Sequence, residues 1–225
     1  GSAGGTTPVT ATKTLGGTAG TLVGTGVVNN NATVPAAIDA TTRLFAAGGA
    51  GTPGLTTEAA TTFTDGSKLT VNGKTITFSK TAVPGATAIA SGSSLSSTNV
   101  VTDSSGNSTV YLGTGADATA TVGDLMTAID VASGAQRITT INATTKAATL
   151  AGTGSSITGG TVTMRSSTGA DLSITGTADM LKSLNLTASV GSGTTTVGAS
   201  RATSSGSLGN LIQDGATLNV NGKTI

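Results

Sequence analysis

The chain has 225 residues, 36% of them hydrophobic, 9% charged, and a formal net charge of +1, with no His, Cys or Trp. That length allows one large domain or two modest ones, and the apolar share with near-zero net charge argues for a packed core rather than disorder. The absent residue types exclude disulfides, zinc–thiolate centres and every Ser–His–Asp or Cys–His arrangement. Eleven scattered Lys and Arg form no basic face for nucleic acid, and no apolar run approaches the ~20 residues of a membrane span.

In chain order, residues 1–60 read as a partial outer domain or connector. The opening "GSAGGTTPVT" has neither the basic nor the apolar region of a signal peptide, and Gly1-Ser2 has the look of a cloning scar or of more Gly/Ser/Ala texture. "TLVGTGVV" is strand-like. "PAAIDATTRLFAAGG" fits a helix with Pro35 at its first position and Gly48 past its end, and 48–62 fit a connector.

"DGSKLTVNGKTITF", from Asp65, predicts a β-hairpin. Asn72-Gly73 suits a two-residue type I′ turn, which needs positive φ at both positions. Leu69 then faces Ile76, and Leu69, Val71, Ile76 and Phe78 share one face. Lys68, Thr70, Thr75 and Thr77 share the other, with Lys74 free to reach water at the turn end. A second hairpin is expected between Asn99 and Leu112 around "TDSSGN".

"TVGDLMTAIDVASG" changes period. Thr121 fits an N-cap with Asp124 three residues on, Val122, Leu125, Met126 and Ile129 make one stripe, and Gly134 stands where a helix-ending glycine belongs. "QRITTIN", "KAATLA", "TVTMRSS" and "DLSIT" read as strands, and "TADMLKSLNL" as a short helix capped by Thr177 with Met180, Leu181 and Leu184 inward. The expected class is α+β, strand-dominated, with antiparallel sheets, one clear helix and one or two candidate short ones.

The hairpin phrase recurs. "DGATLNVNGKTI" begins at Asp214, 149 residues later, and matches the first copy at nine of twelve positions. The hairpin, the helix pattern Thr121, Asp124, Leu125, Ala128, Ile129, and the strands that follow resemble the repeated module in the outer, variable region of bacterial flagellins. The resemblance is closest to long flagellins with tandem modules and covers about residues 61–200. It implies a hairpin–helix–strand module at 61–200, and a linker with the first hairpin of a following repeat at 201–225, in a piece of a longer subunit. It further implies a structural role in motility, outside the bacterial cell in the flagellum, with neighbouring flagellin subunits as partners. O-linked glycans on Ser/Thr fit such a domain. The heptad helices through which flagellins polymerise are not in this sequence, and the export signal is expected in the parent's N-terminal part. The isolated chain is therefore expected to be monomeric. The alternative is an extracellular adhesin or flagellar cap-type binding module built from the same repeat.

No catalytic, cofactor or metal site emerges, and the chain reads as a non-enzyme with no cofactor. Asp124 and Asp130, six apart on one helix, do not share a face. "NGKT" at Lys74 and Lys223 lacks the glycine spacing and following helix of a phosphate loop. "TDSSGNS" has one acid where calcium loops gather several oxygens. Four Asn-x-Ser/Thr sequons, at Asn31, Asn107, Asn142 and Asn185, are what chance gives with eleven Asn and about one-third Ser/Thr. Phe45, Phe63, Phe78 and Tyr111 read as core or near-core aromatics rather than a sugar-stacking platform.

Overall fold

A computed structural model describes residues 18–49, 51–57 and 62–201, together with the backbone of 219–220 and 223–224. Its centre is a seven-stranded mixed sheet. The strands are β4 (Lys68–Val71), β5 (Lys74–Ser79), β6 (Ser94–Ser97), β7 (Val100–Thr102), β8 (Ser108–Tyr111), β13 (Leu172–Thr177) and β14 (Thr194–Ala199), in the order β14-β13-β4-β5-β8-β7-β6.

The first hairpin forms as its sequence dictates. Leu69 pairs with Ile76 and Val71 with Lys74, and the turn residues Asn72 (φ 49°) and Gly73 (φ 77°) are both left-handed. Leu69, Val71, Ile76 and Phe78 are all buried. The Phe78 ring meets Phe63 with centroids 5.2 Å apart, tilted 57°. The hairpin around residues 103–107 also forms. Its strand β8 lies parallel to β5, the one parallel pairing in an otherwise antiparallel sheet.

Helix α1 (Val122–Ser133) covers one face of this sheet. Both halves of a capping box are present, Thr121 Oγ1 accepting from Asp124 N at 3.2 Å and Asp124 Oδ2 from Thr121 N at 3.0 Å. Gly134 ends the helix in the left-handed region. Val122, Leu125, Met126 and Ile129 are buried, joined by Ala128 and Ala132. Each large side chain removed from water in this way stabilises the fold by roughly 1.5–3 kcal/mol. A second helix, α2 (Ala178–Ser183), starts at Thr177, whose Oγ1 accepts from Met180 N at 3.3 Å; Met180, Leu181 and Leu184 are buried.

The expected helix from Pro35 to the residue before Gly48 does not form. Asp39 organises a turn instead: its carboxylate accepts from the Thr41 amide and hydroxyl and from the Thr42 amide, at 2.8, 2.6 and 3.1 Å. Such local side-chain bonds compete with helical ones, and the two consecutive Thr favour extension. The chain leaves this turn as β2 (Arg43–Phe45), paired in parallel with β3 (Gly54–Thr56), which lies inside the expected connector. β1 (Thr21–Val23) joins β12 (Thr161–Arg165) and β11 (Ser156–Thr158) in a three-stranded sheet. Ile38, Leu44, Phe45 and Leu55 belong to the same core as α1 and the central sheet, so this part of the chain is woven into the unit.

β9 (Gln136–Ile141) and β10 (Ala148–Gly152) form a two-stranded ribbon beside α1. Its tip returns to the sheet edge, where Leu95 N donates to Lys146 O at 2.8 Å. This covers part of the open edge of β6.

Residues 202–218, which hold most of the expected linker and the start of the second hairpin phrase, and the second turn pair, Asn221-Gly222, lie outside the described residues. Their flanks do not. β15 (Asn219–Val220) pairs with β16 (Lys223–Thr224) as Asn219↔Thr224 and Val220↔Lys223. The first copy pairs as Thr70↔Thr75 and Val71↔Lys74, the same register shifted by 149 residues.

Candidate functional site

The polar groups that could carry chemistry are mostly engaged in holding the fold. Asp124 accepts from Thr121, from Asn99 Nδ2 at 2.9 Å and from the Ser97 hydroxyl, which ties the start of α1 to β6 and the turn after it. Asp130 does the same at the other end. Its carboxylate accepts from Ser155 N at 2.7 Å and Ser155 Oγ at 2.5 Å, and Ser155 Oγ accepts in turn from Arg165 N at 3.2 Å. Burial of Asp130 raises its pKa; the Ser155 bonds and the charge of Arg165 oppose this without cancelling it. Although both carboxylates are buried, they fasten α1 to different neighbours, as their six-residue spacing on the helix requires.

The third fastening is Asn72. Its Nδ2 donates to Asp171 O at 2.7 Å, while its Oδ1 accepts from Ser173 N at 2.8 Å. The residue chosen for turn geometry thus also docks the hairpin onto β13, a role that local reading missed. A contact between residues about a hundred positions apart leaves no local signal, although the recurrence of the phrase hints at a constraint beyond the turn itself.

The remaining candidates from the sequence resolve into turns and core. Asp103 accepts from Ser105 N, Asn107 N and Asn107 Nδ2 at 2.8, 2.9 and 3.1 Å. Partial desolvation opposes its ionisation, yet these bonds hold its pKa below the ordinary 3.8. Among the described residues no three His, Cys, Asp or Glu gather in a way that could hold a metal. Lys74 follows a β-turn and opens a strand, its stem running beside Gly106. The sequon side chains are all hydrogen-bonded: Asn31 Oδ1 to Thr33 N, Asn107 Oδ1 to Thr75 N, Asn142 Oδ1 to Thr144 N and Asn185 Nδ2 to Gly26 O. Phe45, Phe63 and Phe78 are buried and Tyr111 half-buried. A hydroxyl chain, Ser96–Thr102–Ser108 at 2.7 and 2.8 Å, stitches β6, β7 and β8 together inside the protein. No described helix is long and apolar enough to cross a membrane.

Two concave surfaces flank the root of the β9–β10 ribbon. One, of about 370 Å³, is lined by Asp130, Gln136, Ser155 and Met126 among others. The other, of about 320 Å³, is lined by Arg137, Arg165 and the hydroxyl-bearing run Ser166, Ser167 and Thr168. Gln136 and Arg137 are consecutive in β9, and strand alternation accounts for their appearance in different grooves.

Fold and site together define a strand-dominated α+β unit, fastened by buried polar latches and carrying a repeated hairpin. Residues 52–165 and 166–225 match the model of the family described as Domain of Unknown Function (DUF1522), and the chain belongs to that family. The boundary between the two matched stretches falls at the end of β12 and cuts through one sheet, because β13 in the second pairs with β4 in the first. No curated protein and no solved structure matches the chain.

Proposed function

We propose that this chain is a surface-exposed outer segment of a flagellar filament subunit, a structural and non-enzymatic part of bacterial motility outside the cell. The observation that carries the reading is the repeated hairpin, which pairs in the same register in both copies. With the capped helix beginning at Thr121, it keeps the arrangement that resembles the flagellin module. Engagement of the buried carboxylates in latches also suits a mechanical role better than acid–base chemistry. Such a segment sets filament girth, surface chemistry and lateral contacts with neighbouring subunits, and its many exposed Ser and Thr suit O-linked glycans.

The test is deletion in the parent subunit. An inserted domain has its own core and few contacts across its boundaries. Because residues 18–57 share the core, the excised piece should run from 18 to 201 rather than from 61. Electron microscopy should then show filaments that are present but thinner and smoother. A truncated subunit that is made and exported yet builds no filament would contradict the proposal.

A further inference from the structure

We propose that the groove between Arg137 and Arg165 is an oxyanion site, taking the carboxylate or phosphate group of a small ligand. Arg165 leaves the end of β12, Arg137 lies near the start of β9, and both line the same concavity of about 320 Å³. Neither guanidinium donates a hydrogen bond to a described residue, and Arg165 Nε is enclosed without an acceptor. The other arginines differ: Arg43 Nη1 donates to Ala118 O at 2.8 Å, and Arg201 Nη1 to Thr168 O at 3.5 Å. An enclosed donor with no partner costs roughly 1–3 kcal/mol, so folded proteins seldom keep one without a reason.

The surrounding charges leave the fork available. Asp130 acts on Arg165 electrostatically, but its hydrogen bonds go to Ser155. Asp171 accepts from the Arg201 amide at 2.8 Å. The C-terminal end of α1 opens onto the groove at Gly134 and Ala135, and its partial negative charge favours cations there. That explains why arginines are tolerated, but it takes none of their guanidinium hydrogens. Two planar forks match a planar or tetrahedral oxyanion, and the Ser166 and Ser167 hydroxyls that also line the groove are held in place by accepting from Gly20 N and from Gly169 N and Ala170 N. The volume lies near the low end for small-ligand sites, about 300 Å³, and leaves room for a ring bearing the charged group.

The full chain, labelled with ¹⁵N, is titrated with inorganic phosphate and separately with glucuronate, against sodium chloride at matched ionic strength. The expected result is saturable shifts confined to residues 134–137 and 165–168 with at least one probe and not with chloride. The stronger probe tells a phosphate source from a carboxylate one. Arg137→Gln, at an exposed position, and Arg165→Gln should each weaken binding at least about tenfold. If Arg165→Gln fails to fold, Arg137→Gln decides alone. No saturable shift with either probe, or shifts undiminished in Arg137→Gln, would overturn the site. Filament assembly does not enter this experiment, so its outcome is independent of the outer-segment reading.

Discussion

The β4–β5 hairpin and the β9–β10 ribbon are both antiparallel pairs rich in Thr with Ile and Leu among their apolar residues, and both have an Asn in the turn. In the first, every second side chain except Lys74 is buried; in the second, none is. The hairpin is flanked by β13 and β8, whereas the ribbon joins no further strand in a ladder and meets β6 only through the single Leu95–Ala147 bridge. The two turns use Asn differently, Asn72 through its left-handed backbone and Asn142 through its Oδ1, which accepts from Thr144 N and Thr145 N; the larger difference lies in alternation. Leu69, Val71, Ile76 and Phe78 commit one face to the core. Ile138, Ile141 and Leu150 remain half-buried or exposed, so the ribbon is held at its root by the Asp130–Ser155 latch and at its tip by Leu95.

Substitutions in the two elements should therefore differ widely in cost. The largest effect should come from Leu69→Ala. The leucine fills space directly over Gly176, where an added Cβ would sit 2.2 Å from Leu69 Cδ2. Denaturant unfolding should show a loss of about 2–5 kcal/mol; a loss below about 1 kcal/mol would mean that the hairpin face is not core.

Asp130→Asn tests the ribbon's root, because the amide offers one acceptor where two donors converge. Its effect should depend on pH with a definite sign. A carboxyl whose pKa is raised on folding binds more protons folded than unfolded, so its contribution to stability falls as pH rises from the ordinary 3.8 through the raised value. The variant lacks this dependence. It should cost roughly 1–3 kcal/mol at the acidic end of that window and less at neutral pH. A cost that grows with pH would contradict the raised pKa. Asp103, held low by its turn, has the opposite sign and cancels between wild type and variant.

Asn72→Gly separates the two roles of that residue, since glycine keeps the positive φ and the backbone bond to Ser173 O but loses the side-chain bonds to Asp171 O and Ser173 N. A loss of about 1 kcal/mol is expected, read by chemical melts. No loss would reduce Asn72 to turn chemistry alone. The smallest effect belongs to the ribbon. Ile141 is 40% exposed, and Ile141→Thr should change stability by less than about 0.5 kcal/mol. A larger loss would show that the ribbon carries core packing after all.

These elements also show what could be read before folding. The hairpin facing, the α1 capping box and the Thr177 cap all rest on residues within a few positions of one another, and all three appear as expected. Residues 35–48 did not, because Asp39 bonding to Thr41 and Thr42 outcompetes a helical period. β6, β11 and β14 went unread: each is short or rich in Ser and Thr with few apolar positions, and becomes a strand through its neighbours. The parallel β5–β8 pairing depends on topology alone. The same holds for the sites. Asn72 with Ser173, Asp130 with Ser155, and Arg137 with Arg165 are joined by sheet register and helix placement, so no spacing rule could have found them.

The outer-segment reading is tested most directly at the ribbon tip. The chain contains no cysteine, and Thr144 is exposed in the turn between β9 and β10, with only its backbone amide engaged. A Thr144→Cys variant, carried in the parent subunit, is treated with a maleimide on intact filaments, with the unsubstituted parent as control. The account predicts labelling of the filament surface along its length, at a rate close to that of the isolated chain. Filaments that contain the variant yet label only after they are depolymerised would place the segment inside the assembly and contradict it.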